Sequence, residues 1–370
     1  MTVQKKLRAS LTGKVGRVAK AGSEAWRASN WWSPTHDHSQ PAHAVNDKRI
    51  LVIGGASFIG SHLADLLVSS DCEEVVVADD LAHGKVSHLT SAMESGKLRL
   101  VVTGFDDAVL GADLLQGMDT VFHVARFGAV QDEHSSAWQA ERFASQTMEL
   151  IERCIQARVR KLVVASPVAA LVQAEAPLAT AIWGAPDSEA MLSSPVDCWD
   201  ARIQHFAQQR GLPFVALRYF DVYGPRMSRK DGEAGFLVQW MDRLGAGEVP
   251  EPSCIGQQSL DLVHVEDVAR ACMLAAASPV EGVTLDIGTG EESSLRKVAE
   301  TLARVMGRKG VKLDMEPTSI LDPMPPRAGT HHAREEIGFE AAIPLVRGLE
   351  GLVTWWCTEH EWATPCQGLR

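Results

Sequence analysis

The chain has 370 residues, 45% of them hydrophobic, and a formal net charge of −11 at pH 7. That length buries a large core and suits two lobes, while the acidic balance argues against a general nucleic-acid binder. No apolar run approaches the length of a bilayer span.

Seven cysteines (Cys72, Cys154, Cys198, Cys254, Cys272, Cys357 and Cys366) are scattered without paired metal spacing, which fits buried thiols in a reducing compartment. The first 30 residues carry Lys5, Lys6, Arg8, Lys14, Arg17, Lys20 and Arg27 against Glu24 alone, with Leu7, Leu11, Val15 and Val18 at helical spacing. This reads as a disordered tail, favoured by Gly13, Gly16 and Gly22, or as a transit peptide or anionic-surface segment. The expectation is a cytoplasmic protein, or an organelle-matrix one if that start is a transit peptide. Residues 31–48 look like a linker, and with the tail they form an extension (1–48) suited to a protein partner. His36, His38 and His43 lack cysteines or a scaffold around them, so no metal site is expected.

From Arg49 onward strand and helix patterns alternate, as a doubly wound parallel sheet demands. Ile50-Leu-Val-Ile53 is a continuous apolar run of the kind buried on both faces. It turns at Gly54 and Gly55 and enters a helical pattern at Gly60, with Ser57, Phe58 and Ile59 between. Backbone amides at a helix start in such a turn suit a pyrophosphate, and Gly60 permits close packing of helix on strand. Ser57 stands where a middle glycine is expected; its hydroxyl narrows the approach, or itself donates. A second strand, Glu74–Ala78, ends in Asp79 and Asp80, about 20 residues past the glycines, where an acid accepts ribose hydroxyls. Its charge would repel a 2′-phosphate, so NAD is expected over NADP.

Further strands follow at Leu98–Thr103, Thr120–Ala125, Lys161–Ala165 and Phe214–Arg218, with a long helical pattern through Trp138, Phe143, Met148, Ile151 and Ile155 and another around Trp199–Gln209. The motifs ILVIGGASFIGSHL, VVVADDLAHGK, MDTVFHVA, GLPFVALRYFDVYGPR, DLVHVEDVARA, LDIGTGE and Ala333-Arg-Glu-Glu-Ile-Gly-Phe339 occur in that order. Over residues 49 to 358 the chain resembles an extended short-chain dehydrogenase/reductase of the NAD-dependent nucleotide-sugar epimerase/dehydratase group.

The resemblance implies a Rossmann-like α/β fold. The NAD-binding domain would span 49–220, and a smaller C-terminal α/β lobe 221–370, with segments near 258–278 packing back on the first. It implies cofactor contacts at Gly54, Gly55, Ser57, Phe58, Ile59, Gly60, Asp79 and Asp80. Asp106 would lie on the adenine side and Ala125 at the turn after the fourth strand. It also implies a nucleotide-sugar ligand and a homodimer through helices near 137–157 and 197–210.

Family chemistry moves a hydride between a sugar carbon and the nicotinamide. A tyrosine takes the hydroxyl proton, and a lysine four residues later lowers its pKa. A serine or threonine holds the oxygen. A free phenol, with pKa near 10, is a poor base at neutral pH without that lysine. This chain has two tyrosines, Tyr219 and Tyr223, both within the LRYFDVYGP motif. Counting from flanking motifs puts Leu192 at the tyrosine position, Val196 at the lysine and Pro167 at the serine. Phe143 falls at a supporting asparagine, and Asp200 keeps an acidic position. None of the four replacements has a side chain that moves protons.

On the substrate side Leu260 occupies the position of a pyrophosphate-binding arginine, and Asp221 that of an asparagine. Arg226 and Arg327 are candidates to meet phosphate, or ordinary surface arginines. Three readings follow: a dinucleotide-binding protein without standard hydride transfer, with a regulatory, NAD-sensing or structural role; an active enzyme whose base is displaced to Asp197, Cys198, Asp200 or His205; or an interaction module with no cofactor.

Overall fold

A computed structural model describes residues 47–104, 112–124, 136–167, 195–229, 231, 233–249, 259–308 and 328–360, with backbone alone for 136–144, 167, 195–201 and 233. Seven parallel strands form the central sheet. They are β1 (Arg49–Ile53), β2 (Glu74–Asp79), β3 (Leu98–Val102), β4 (Thr120–His123), β5 (Lys161–Pro167), β6 (Phe214–Tyr219) and β10 (Val283–Ile287), in spatial order β3-β2-β1-β4-β5-β6-β10. This is the α/β, Rossmann-like architecture read from the alternating pattern.

The unbroken apolar run of β1 has a direct cause. Ile50 and Val52 join a core with α1 (Phe58–Val68) and α7 (Val265–Ala277), while Leu51 and Ile53 join another with α4 (Ser136–Gln156) and α5 (Pro195–Arg210). Both faces of the strand are dry, so neither parity tolerates a polar residue. Each fully buried aliphatic side chain contributes roughly 1.5–3 kcal/mol, which makes β1 the spine of the sheet.

A third apolar cluster lies under α6 (Phe236–Ala246), α8 (Leu295–Val305) and α10 (Leu345–Glu359), and includes Tyr223, Trp240, Leu302, Leu352 and Trp356. Two small pairs border it: β7 (Asp221–Tyr223) with β9 (Leu262–His264), parallel, and β8 (Ser259–Leu260) with β11 (Ser293–Ser294), antiparallel. The chain beyond residue 220 contributes to both bodies, because β10 completes the large sheet and α7 packs against α1. Cys72, Cys154, Cys272 and Cys357 are buried thiols that form no disulfide. Among the described residues no helix is long and apolar enough to cross a membrane.

Candidate functional site

Strand order reverses between β1 and β4, and in such sheets the crevice beyond the strands' carboxyl ends at the reversal holds the ligand. The β1–α1 turn occupies that place. Gly54 has φ +79°, a left-handed conformation that favours glycine, and its N–H donates to the Ala78 carbonyl at 2.8 Å. A Cβ on Gly60 would lie 2.2 Å from the Gly54 oxygen, and one on Gly55 would lie 2.8 Å from both Val77 methyls. The turn is therefore pressed against β2 and the start of α1 as closely as backbone allows.

Ser57 has φ −71° and ψ 177°, extended backbone that any residue adopts, so a serine replaces the middle glycine without strain. Its hydroxyl donates to the Gly54 carbonyl at 2.6 Å and accepts the Gly60 N–H at 3.3 Å. Serine thus caps α1, a role worth about 1 kcal/mol. That hydroxyl is bonded within the turn.

Asp79, at the tip of β2, is buried. Its Oδ2 accepts the Ala56 N–H at 2.9 Å and its Oδ1 the Leu81 N–H at 2.8 Å. Burial raises its pKa, and the two amides pull the other way. Asp80 is exposed and its Oδ1 accepts the Ala82 N–H at 2.9 Å, a local turn. Leu81 sits at φ +61°, costing about 1–2 kcal/mol for a residue with a Cβ. The strain lies in the residue that donates to Asp79.

Sequence reasoning passed over the segment that follows. A Cβ on Gly84 would lie 2.7 Å from Asp79 Oδ1 and 2.8 Å from Ala56 Cβ. The Lys85 N–H donates to the Ala56 carbonyl at 3.0 Å, and His88 Nδ1 lies 3.2 Å from the same oxygen. The signal was present as the glycine in DDLAHGK, five residues past the acid. At the end of β4, His123 is buried, and burial pushes it down to about 4, so it is neutral at pH 7.

On the opposite side of the crevice, Asp221 begins β7 and its N–H donates to the Asp261 carbonyl at 3.2 Å. Asp261, another residue not singled out from sequence, is buried, and its carboxylate accepts from Thr289 N at 2.7 Å, Thr289 Oγ1 at 2.5 Å, Gly290 N at 2.8 Å and Ala328 N at 2.9 Å. It holds the GTG loop beside β8, whose Leu260 packs on the third cluster. Arg226 does not face the crevice as a free cation: its guanidinium donates to Asp65 of α1 at 2.6 Å and is largely buried.

Both tyrosines are committed to the fold. The Tyr219 hydroxyl lies 3.1 Å from Cys272 Sγ, and burial pushes its pKa well above the ordinary value. The Tyr223 hydroxyl donates to the Leu345 carbonyl at 3.4 Å, and burial raises it as well. His205 is exposed on α5 and pairs with Gln209 at 2.8 Å. Pro167 is the last residue of β5, in register with Tyr219. Phe143 falls in α4 and Val196 in α5, where backbone alone is described, as for Asp197, Cys198 and Asp200. Leu192, Asp106, Ala125 and Arg327 lie outside the described residues.

Residues 50–288 match the profile of the NAD dependent epimerase/dehydratase family. The chain belongs to this family. It is 29% identical over 314 residues to a UDP-glucose 4-epimerase of Mycolicibacterium smegmatis, covering 81% of this chain and 96% of that protein. It is 25% identical over 341 residues to UDP-glucuronic acid decarboxylase 6 of Arabidopsis thaliana, covering 88% and 95%. Among solved structures, the UDP-N-acetylglucosamine 4-epimerase from Methanobrevibacter ruminantium in complex with UDP-N-acetylmuramic acid aligns with TM-score 0.66 at 25% identity, covering 85% of this chain and 99% of that one. The Bordetella bronchiseptica enzyme WbmF in complex with NAD+ and UDP has the same fold (TM-score 0.67, 24% identity, 86% and 95% coverage). Membership in the epimerase/dehydratase family agrees with the resemblance read from the motifs.

Proposed function

We propose that this epimerase/dehydratase family member binds NAD at the β1–α1 turn but lacks tyrosine-based hydride transfer, and acts as a regulatory, NAD-sensing or structural protein. NAD would supply hydride chemistry when bound. The chain's own residues would bind and orient it: Gly54, Gly55 and Gly60 leave room for a close backbone approach, and the first-turn amides near Phe58 and Ile59 suit the pyrophosphate. Asp79 and Asp80 stand on the ribose side, with Asp106 and Ala125 as further cofactor positions by family position. Asp79 keeps lone pairs beyond those its two amides use. WbmF, of the same fold, was solved with NAD+, which supports the cofactor assignment.

The observation that carries the catalytic reading is the state of the two tyrosines. Both hydroxyls are bonded inside the fold and both phenols are pushed up by burial. Neither can act as a base at neutral pH. The count from flanking motifs that puts Pro167, Leu192 and Val196 at the family's catalytic positions supports the same reading, as does Phe143.

The relatives named as epimerases and decarboxylases favour a second reading, an active enzyme with a displaced acid/base. His205, exposed and paired with Gln209, is a weak candidate for it. Asp197, Cys198 and Asp200 are the others. Any small-molecule ligand would be a nucleotide-sugar, as in the UDP-sugar complexes of related folds, with Asp221 on the substrate side and Arg327 as a further candidate. We further propose a homodimer through α4 and α5, two lobes divided near residue 220, and a protein partner for residues 1–48.

Calorimetry with NAD, run beside turnover assays on UDP-glucose, UDP-N-acetylglucosamine and UDP-glucuronate, tests the function. Binding without turnover is expected. Robust turnover overturns the catalytic reading, and absence of binding at millimolar NAD overturns the cofactor assignment in favour of an interaction module.

A further inference from the structure

Where α1, the first turn of α7 and the Gly224–Arg226 turn meet, one guanidinium bonds the Asp65 carboxylate and acts on that of Glu266 through its charge alone. Gly224 has φ +149°, and a Cβ there would lie 2.6 Å from Val265 Cγ1 and 3.2 Å from His264 Nε2. The turn is thus pressed onto α7. Arg226, at φ +69°, takes a left-handed conformation unusual for a residue with a Cβ, and Met227 N donates to the Gly224 carbonyl at 3.4 Å. Toward α1, His62 Nε2 meets the Pro225 carbonyl at 3.0 Å, and Arg226 Nη2 meets Asp65 Oδ2 at 2.6 Å.

That pairing leaves Glu266 short of a counter-charge. Asp65 Oδ1, Arg226 Nη1 and Glu266 Oε2 are all sealed from solvent with no hydrogen-bond partner among the described residues. Two negative charges, Asp267 on its own helix and Asp65 across on α1, act on Glu266 together with the one positive charge of Arg226. Asp267 already accepts the Ala342 and Ile343 amides and the Arg270 guanidinium. The three histidines that border the cluster, His62 on α1, His88 after β2 and His264 at the cap of α7, bring no charge at neutral pH. Burial pushes His62 well down and holds His88 and His264 at about 4; the Arg226 charge adds to the effect on His62 and His88. Lys85 and Asp231 act on His88 from the outer edge.

We propose that Arg226, Asp65 and Glu266 form a proton-dependent latch between α1 and the Gly224–Arg226 turn, closed while Glu266 carries a proton and loosened when it ionises. Burial, reinforced by Asp267, raises Glu266 to about 8, so the latch changes state near physiological pH. Its two halves matter because α1 starts at the glycine turn and the Gly224–Arg226 turn directly follows the strand that carries Asp221. The latch fixes one against the other.

The sign follows from linkage. With a folded pKa above the unfolded one, Glu266 contributes stability that is complete below about 4.5 and lost as pH rises to about 8. The buried histidines work the other way, from about pH 7.5 downward, since their folded pKa values are depressed while the unfolded ones lie near 6.5. Lys161, lowered to about 8 by burial, acts mainly above that value. Between about 6.5 and 8 the histidines and Glu266 oppose each other, so the Glu266 part is read as the difference between the wild type and Glu266→Gln.

The test is thermal and chemical unfolding of the full chain at pH 6.5, 7.2 and 8.0, with hydrogen exchange of Gly224, Arg226 and Met227 corrected for intrinsic pH dependence. The folding equilibrium constant of the wild type divided by that of Glu266→Gln, which mimics the protonated acid, should fall by about 15-fold across the interval, and the wild-type turn amides should exchange faster at the upper end. In Glu266→Gln the turn amides should keep one corrected exchange rate across the interval. Asp65→Asn, which frees Arg226 to pair with Glu266, should remove the turn response too, and remains readable if the glutamine variant does not fold. A stability ratio that does not change with pH, a turn response that persists in either variant, or a changing ratio without a change at the turn overturns the latch.

Discussion

The Tyr219 hydroxyl lies 3.1 Å from the thiol of Cys272, across the packing between the end of β6 and α7. Burial, with the Cys272 thiol beside it, drives the pKa of this phenol well above the usual value. Tyr223 is pushed up in the same way and is the only other tyrosine in the chain. Absorbance at 295 nm during an alkaline titration should therefore show no phenolate until the protein unfolds, in one cooperative step. A gradual rise near pH 10 in folded protein would mean that a hydroxyl is exposed. Tyr219→Phe should cost about 1 kcal/mol, the net worth of one hydrogen bond, and leave NAD binding unchanged.

The contact between Gly60 and the Gly54 carbonyl gives a sharper test of the cofactor site. A Cβ placed 2.2 Å from a backbone oxygen cannot be relieved by a side-chain rotation, so α1 must move away from the turn. Gly60→Ala should weaken NAD at least about tenfold, because the fingerprint's third glycine secures the helix–strand packing that positions the pyrophosphate. Isothermal titration reads this directly, and circular dichroism checks that the chain remains folded.

Ser57 calls for the opposite pattern. Its backbone is extended, so Ser57→Gly introduces the family's glycine without relieving any strain, and should cost only a few tenths of a kcal/mol. Ser57→Ala removes the oxygen that accepts the Gly60 N–H and should cost about 1 kcal/mol. Urea titrations of the two variants should rank them in that order, and a reversed ranking would mean that the cap contributes nothing.

The sheet was legible in the sequence because its cause is one-dimensional. Strands dry on both faces read as unbroken apolar runs, and Ile50–Ile53 and Val75–Ala78 have no alternative. The glycine turn and Asp79 were legible because a close backbone approach demands particular residue types at fixed spacing. The pairing of Arg226 with Asp65 was not legible because the two lie 161 positions apart, and no local pattern shows which of many acids an arginine meets. The capping role of Ser57 was hidden for a related reason: whether a hydroxyl faces a ligand or caps its own helix depends on a rotamer that the sequence does not encode. Gly84 and Asp261 escaped notice because each acts through partners brought together only by the fold.

Asp261 offers the largest predicted loss of stability. One buried carboxylate gathers Thr289, Gly290 and Ala328, and a Cβ on Gly288 would lie 2.8 Å from its Oδ2, so the loop has closed tightly around the charge. Asp261→Ala leaves three backbone amides and a hydroxyl without their acceptor, in a space too small for a full replacement by water. The cost should be about 3 kcal/mol or more, which for a chain of this size lowers the melting temperature by about 4 °C or more. Asp261→Asn keeps one accepting oxygen but turns an amide group toward donors, so it should fall between the alanine variant and the wild type. Differential scanning calorimetry of the three proteins decides the point. If Asp261→Ala melts with the wild type, the four contacts do not hold the loop, and the GTG segment must be positioned by β10 and β11 alone.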